Sequence, residues 1–364
     1  MKLLIVKPSS LGDIVHALFA VSLLRSALPQ AELWWVANDS LVPLVSLCPQ
    51  IHPLPFPRKA LGKFSLSALR RFLGELRRHR FDAVLDFQGL LRSGLISFAA
   101  RAPLRYGFAS AREGASLFYN HPVVLPPEIS HAVEKNLLLV RAFLRDQGKQ
   151  DEAEAAPPPL ELRLPPAWLA EADSLMESHG LPAGAPLVAV GCASRWPSKS
   201  WPVGFFAQVL QEVRRRRPDA AIWLLGAPEE RARAEELRSL CGLPEGALLA
   251  GDTSMGALCA LLQRSQVLFT NDSGPMHIAA LEGVPCVANF GSTNPALTGP
   301  YGPPGFHAII QSPCPQAPCM KRECPRGDNG LCCQEIPPAQ VADKILQRLP
   351  PPAKPGGECP SPAP

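Results

Sequence analysis

The chain has no stretch suited to crossing a membrane. Its longest run without a charged residue, Gly283 to Met320, is broken by repeated glycine and proline and cannot be one spanning helix. The N-terminus reaches Lys7 and Asp13 too soon for the apolar core of a signal peptide, and Leu3–Val6 reads instead as a first strand. No Asp-x-Asp occurs, so the common carboxylate clamp for a metal on a nucleoside diphosphate is missing. The loop after the first strand lacks both G-x-G-x-x-G and G-K-[ST], which argues against a dinucleotide dehydrogenase and a P-loop NTPase. No paired C-x-x-C knuckle occurs, no repeat of fixed period is visible, and the basic stretch lacks the interleaved aromatics of a nucleic-acid surface.

What is present points to a globular protein of about two domains. The 364 residues exceed one ordinary compact unit, and 46% hydrophobic with 19% charged residues excludes a disordered chain. Many of the 42 prolines fall outside the periodic segments, as in Pro157–Pro159 and Pro350–Pro352, and read as linker and tail. Eleven cysteines without an export signal indicate reduced thiols and a cytoplasmic protein. The net charge of +4 is concentrated: Arg58 to Arg80 holds eight Lys or Arg against Glu75 alone. Leu66, Leu69, Phe72, Leu73 and Leu76 repeat through it at helical spacing, predicting an amphipathic helix whose basic face is either simply solvated or meets an anionic lipid or acceptor.

Apolar strand-like runs at Leu3–Val6, Glu32–Val36, Ala83–Phe87, Leu187–Val190, Ala221–Leu225, Val267–Thr270 and Cys286–Phe290 alternate with helical segments. These are Ile14–Leu28, His131–Leu144, Val203–Arg217, Pro228–Leu240 and Ser254–Gln263. Such alternation predicts an α/β protein with parallel sheets. An acidic, proline-rich interruption between Arg145 and Pro186, with a connecting helix near Trp168–His179, marks the boundary. The expected organisation is an N-terminal domain over 1–150, a linker over 151–185, a C-terminal domain over 186–335, a helix over 336–349 and a disordered tail over 350–364.

In open α/β sheets, ligands bind beyond the carboxyl ends of the strands. Three loops qualify. In Lys7–Asp13 the aspartate is either a helix cap or a working carboxylate. In Gly191–Pro202, Arg195 and Lys199 are two cations able to neutralise a diphosphate, with Ser194 beside them. In Thr270–His277 a helix N-terminus at Ser273 and Gly274 can hold a phosphate, with Asp272 and His277 at the same mouth or serving only as cap and core. Glu229 and Glu230 open another helix, where they either accept from ribose hydroxyls or favour the helix dipole.

Taken together, Lys7-Pro8-Ser9-Ser10-Leu11-Gly12-Asp13-Ile14-Val15-His16, Asp86-Phe87-Gln88-Gly89-Leu90-Leu91-Arg92-Ser93, Lys199, and Asn271-Asp272-Ser273-Gly274-Pro275-Met276-His277 resemble glycosyltransferase family 9, the ADP-heptose:lipopolysaccharide heptosyltransferases, over roughly the first 340 residues. The resemblance implies a GT-B fold of two Rossmann-like domains whose parallel sheets face a central cleft, an inverting displacement, and no metal or other cofactor. It implies Asp13 as general base and Ser194, Arg195, Lys199, Glu229, Asp272, Ser273, Gly274 and His277 as donor-binding residues. Ser10, Gly12, Arg58, Lys59, Gln88, Arg112 and His131 fall to the acceptor. The implied partners are a nucleotide sugar, a lipid-linked anionic glycan and, peripherally, the inner face of the inner membrane, with no nucleic acid and a monomeric state. Another envelope-glycan transferase, a nucleotide-sugar epimerase and a non-catalytic binder of the same fold are the alternatives. Cys314, Cys319, Cys324 and Cys332 form a cluster able to offer thiolates to zinc, although reduced structural thiols are the simpler reading.

Overall fold

The computed structural model describes residues 1–58, 65–159, 162–181, 184–324, 327 and 331–351. The chain divides into two compact units. One comprises Met1–Ala170 with Met255–Cys259 and Pro295–Tyr301; the other comprises Glu171–Ser254, Ala260–Asn294 and Gly302–Pro364. The helix Pro166–Ser178 belongs to the first unit up to Ala170 and to the second thereafter.

The first unit is built on six parallel strands: β1 (Lys2–Val6), β2 (Glu32–Asn38), β3 (Ile51–Phe56), β4 (Ala83–Asp86), β5 (Leu104–Phe108) and β6 (His121–Val123), in the order β3-β2-β1-β4-β5-β6. Its central strand is an unbroken apolar run because helices cover both sheet faces. Leu3, Leu4, Ile5 and Val6 are wholly buried, each worth about 1.5–3 kcal/mol over an exposed side chain. The flanking helices are α1 (Leu11–Ala27), α2 (Leu66–Arg78), α3 (Leu91–Ala99) and α4 (Ala132–Asp146).

The second unit carries β7 (Leu187–Gly191), β8 (Ala221–Leu224), β9 (Val267–Asn271), β10 (Cys286–Phe290) and β11 (Ala308–Gln311), all parallel, in the order β11-β10-β9-β7-β8. Around them lie α5 (Val203–Arg216), α6 (Arg231–Cys241), α7 (Gly274–Leu281) and α8 (Pro338–Leu346).

All seven strands expected from apolar runs are present, and four more join them. β3 was hidden by Pro53 and Pro55, which cannot donate to a ladder; it pairs with β2 alone, at the sheet edge where prolines are tolerated. Two helix starts differ from expectation by a full turn or nearly so. The first helix begins at Leu11 rather than Ile14 because Ser10 occupies the N-cap. The segment expected as one helix from Pro228 opens as a single tight turn, Pro228–Glu230, with α6 following and ending at Gly242, whose φ of 58° suits glycine. The basic helix forms as α2, with the Ser65 hydroxyl accepting from the Ala68 amide at 3.3 Å. Lys59 and the tail 352–364 lie outside the described residues.

Each sheet has one point where the strand order reverses, between β1 and β4 in the first unit and between β7 and β9 in the second. There the connections leave in opposite directions and open a crevice past the strand ends.

Candidate functional site

At the first crevice, the β1 and β4 ends are level, with Val6 opposite Asp86 and the Phe87 amide donating to the Val6 carbonyl at 3.1 Å. Lys7 follows β1 directly and is buried; its Nζ donates to the Phe87 carbonyl at 3.0 Å and lies 3.9 Å from Asp13 Oδ1. Asp13 sits in the first turn of α1. Its Oδ2 accepts from the Ser10 amide at 2.9 Å and the Ser10 hydroxyl at 2.8 Å. The N-cap position is therefore held by Ser10, and Asp13 bonds back to it from the first turn rather than capping the helix itself. Burial works to raise the Asp13 pKa, but the Lys7 ammonium, the two Ser10 bonds and His16 outweigh it, so the carboxyl stays below the usual range. Lys7 in turn is pushed down by burial. The result is an ionised carboxylate whose side chain keeps 42% of its surface open, the state a general base needs.

Behind this pair lies Asp86, fully buried. It accepts from the amides of Gln88 (2.8 Å) and Gly89 (3.2 Å) and from the Tyr119 hydroxyl (2.7 Å). Burial pushes its pKa up against the pull of these bonds. Tyr119 also crowds Gly107, where a Cβ would stand 2.3 Å from the ring, so only glycine admits it. Gln88 is anchored by its backbone, and its Oε1 is buried without a hydrogen-bond partner among the described residues. Arg112 is exposed; its amide donates to the Gly89 carbonyl at 3.0 Å, and its charge is felt at Lys7. Gly12 is the second residue of α1, beside Asp13, and Arg58 is exposed beyond the end of β3.

His131 caps α4. Its Nδ1 accepts from the Val133 amide at 3.2 Å, while Nε2 is 3.3 Å from the Gly299 carbonyl. One neutral tautomer, with the proton on Nε2, satisfies both contacts, and burial lowers the pKa accordingly. The structure thus brings Ser10, Gly12, Asp13, Gln88 and Arg112 to one strand-end crevice. Lys7 and Asp86, which sequence reasoning had not assigned roles, form its buried electrostatic floor.

At the second crevice, β7 and β9 approach closely. A Cβ on Gly191 would meet the Thr270 hydroxyl at 2.9 Å, and that hydroxyl bonds the Gly191 carbonyl at 3.1 Å. Asn271 ties the loop after β7 in place, accepting from the Trp201 amide and donating to the Cys192 carbonyl, both at 3.2 Å. Ser194 donates to the Asp272 carbonyl at 3.1 Å. Lys199 stands over the Trp196 ring at 4.7 Å and meets Asp272 Oδ2 at 2.7 Å; Thr293 donates to the same oxygen at 2.7 Å. The two cations of this loop differ in setting: Lys199 is aimed by a carboxylate only 4% exposed, whereas Arg195 is exposed.

Ser273 is the N-cap of α7, with its hydroxyl 2.9 Å from that of Thr270. The first-turn amides beyond it, at Gly274 and Met276, precede the first i to i−4 bond of the helix, while Pro275 has no N–H to leave orphaned. His277 is buried within α7. Glu230 closes on the Ala227 amide at 2.9 Å as a cap, leaving Glu229 exposed past the end of β8. The second crevice therefore gathers Ser194, Lys199, Asp272, Ser273 and Gly274 tightly, with Arg195 and Glu229 at its open margin. Thr293, which no sequence signal identified, completes the Lys199 setting from the loop after β10.

Cys314, Cys319, Cys324 and Cys332 line one cavity of ≈ 10 Å³ with Ser198 and Ser292. Among the described residues no group of three or more His, Cys, Asp or Glu is arranged to hold a metal ion. Nor, among them, is any helix long and apolar enough to cross a membrane.

Comparison with known proteins agrees with this layout. Lipopolysaccharide heptosyltransferase 1 of Pseudomonas aeruginosa is 29% identical, over 96% of this chain and 98% of its own length. The solved glycosyl transferase family 9 protein of Veillonella parvula superposes with a TM-score of 0.77 at 21% identity, covering 95% of this chain and 96% of that one. Escherichia coli heptosyltransferase WaaC, solved with ADP, gives 0.71 at 23% identity, covering 96% and 100%. The fold is thus the GT-B fold of the heptosyltransferases. Residues 69–329 match glycosyltransferase family 9 (heptosyltransferase), a span that runs from the first turn of α2 into the cysteine-rich segment, stopping short of Cys332, and takes in the whole second crevice; this chain belongs to that family and is a glycosyltransferase.

Proposed function

We propose that the chain transfers a heptosyl group from ADP-heptose to the inner core of lipopolysaccharide, with inversion and without a metal ion. The observation that carries this reading is the Asp13 carboxylate, ionised and partly open in the first crevice. Asp13 takes the proton of an acceptor hydroxyl whose oxygen forms the new bond to the anomeric carbon. The bond from that carbon to the diphosphate breaks, and the leaving group takes the electron pair. One displacement from the opposite side inverts the centre. Lys199, aimed by Asp272, together with Arg195 and the α7 amides, balances the charge of the departing diphosphate; this is the stabilisation a metal would otherwise provide. Ser194, Ser273, Gly274, Glu229 and His277 complete the donor set, with Ser10, Gly12, Arg58, Lys59, Gln88, Arg112 and His131 on the acceptor side. The named activity of the P. aeruginosa relative supports the choice of sugar and acceptor.

The test is release of ADP from ADP-heptose in EDTA, with and without a deacylated lipid A core acceptor. Acceptor-dependent release is expected, and Asp13→Ala should bind donor normally while turnover falls about 10²–10⁴-fold. Release without acceptor would indicate the epimerase-like alternative. Binding of a different nucleotide sugar with no turnover of ADP-heptose would overturn the heptose assignment.

A further inference from the structure

In the first unit, α2 and α3 leave a groove of ≈ 640 Å³ between them, within the usual volume of a small-molecule site. Its floor is the outer side of the core, where Phe56, Phe72 and Ile96 are buried. Its lip is apolar and open: Leu95 is 48% exposed and Phe98 59%. Apart from arginines, its lining is entirely apolar, so it offers no side-chain acceptor to a sugar hydroxyl.

Four arginines edge this groove: Arg77, Arg92, Arg101 and Arg105. Two are fixed by backbone carbonyls, Arg77 by that of Ala99 at 3.3 Å and Arg105 by those of Ala102 and Phe118 at 2.7 and 2.9 Å. Arg92 lies 5.9 Å from the Phe56 ring centre, and Arg105 lies 5.9 Å from that of Phe98. Among the described residues none of the four pairs with a carboxylate, although exposed arginines elsewhere do, as in Arg78–Glu75 and Arg145–Glu154. Uncompensated guanidinium groups around an apolar slot are complementary to a ligand with a hydrocarbon body and an anionic head.

We infer that this groove is where the enzyme docks on an anionic phospholipid bilayer, with Leu95 and Phe98 entering the acyl region and the arginines taking lipid phosphates. The inference deepens the proposed function, resting on its lipid-linked acceptor, and assigns membrane contact to the α2/α3 groove rather than to basic charge in general.

The test is co-sedimentation of the full chain with phosphatidylcholine vesicles, pure or containing about one-third phosphatidylglycerol. Binding is expected on the anionic vesicles only, weakening as salt is raised. Arg77→Gln/Arg101→Gln should weaken it about 10–30-fold, each charge near the surface contributing roughly a factor of five. Leu95→Ser/Phe98→Ser should also weaken it while leaving the salt dependence in place. Both double variants should turn over a deacylated, water-soluble acceptor as the wild type does. Vesicle binding unchanged in both, or equal binding to neutral vesicles, overturns the inference. So does loss of turnover on the soluble acceptor in folded variants, which would make the groove part of the glycan site. Vesicle binding that follows these substitutions in a protein without heptosyl transfer would sustain the docking surface and sink only the assigned reaction.

Discussion

Replacing Lys7 by methionine tests the electrostatic floor of the first crevice. The ammonium stands 3.9 Å from the Asp13 carboxylate, a separation worth about 4 kcal/mol at an effective dielectric constant near 20 and about 1 kcal/mol in water. Since 42% of the Asp13 side chain is open to solvent, screening takes the value toward the lower end, about 1–2 kcal/mol. That corresponds to roughly one pH unit. Lys7 holds the carboxyl down, so its loss raises the Asp13 pKa and moves the acid limb of kcat/KM upward by about one unit, with the neutral plateau far less affected. The assay is kcat/KM for the soluble acceptor across the acidic range, with Asp13→Asn as the inactive reference. Lys7→Met also leaves the Phe87 carbonyl without its donor, at a cost of about 1–3 kcal/mol in stability, so rates belong well below the melting temperature. A folded Lys7→Met enzyme with an unmoved acid limb would refute the argument.

Thr293→Val removes one of the two groups holding Asp272 Oδ2, and donor KM should rise about tenfold while the acceptor KM stays constant; an unchanged donor KM would mean that Lys199 does not depend on this carboxylate. Glu282 is half-buried beside Gln263, its Oε1 enclosed without a partner among the described residues, and this partial burial raises its pKa to about 7. The unfolded chain releases this proton first as pH rises, from near 4.5, so Glu282 should cost up to about 3 kcal/mol of stability by the time pH has passed through 7. Glu282→Gln should flatten this part of the pH–stability profile in denaturant titrations, and a slope equal to that of wild type would count against it.

The fold was legible wherever a strand is buried on both faces. Leu3–Val6 and Val267–Asn271 are such strands, and their apolar runs leave little else for them to be. It was illegible where an edge relaxes that demand, as for Pro53 and Pro55 in β3 and the short His121–Val123. The helix α3 was hidden for another reason. Its Gly94 looks like a breaker, yet a Cβ there would stand 2.7 Å from the Phe118 ring, so the glycine answers to packing rather than to propensity. The site divides similarly. Asp13, Ser273 and Gly274 sit at helix starts directly after a strand, where meaning follows from the strand before and the helix after. The Lys199–Asp272–Thr293 arrangement joins three loops distant in sequence, and no local pattern announces Thr293.

The turn carrying Lys199 is held from behind. Ser198 donates to the Lys321 carbonyl at 2.7 Å, meets the Ser292 hydroxyl at 2.9 Å, and its amide reaches the Arg322 carbonyl at 3.3 Å. None of these contacts uses the lysine side chain, so where the ammonium stands and what it meets are separable properties. Exposed Arg195 can be exchanged with the scaffold intact, and under the proposed donor-binding role its replacement should alter donor preference. An insertion near Lys321, by contrast, would displace the ammonium through Ser198, a dependence that no inspection of residues 191–202 alone would reveal.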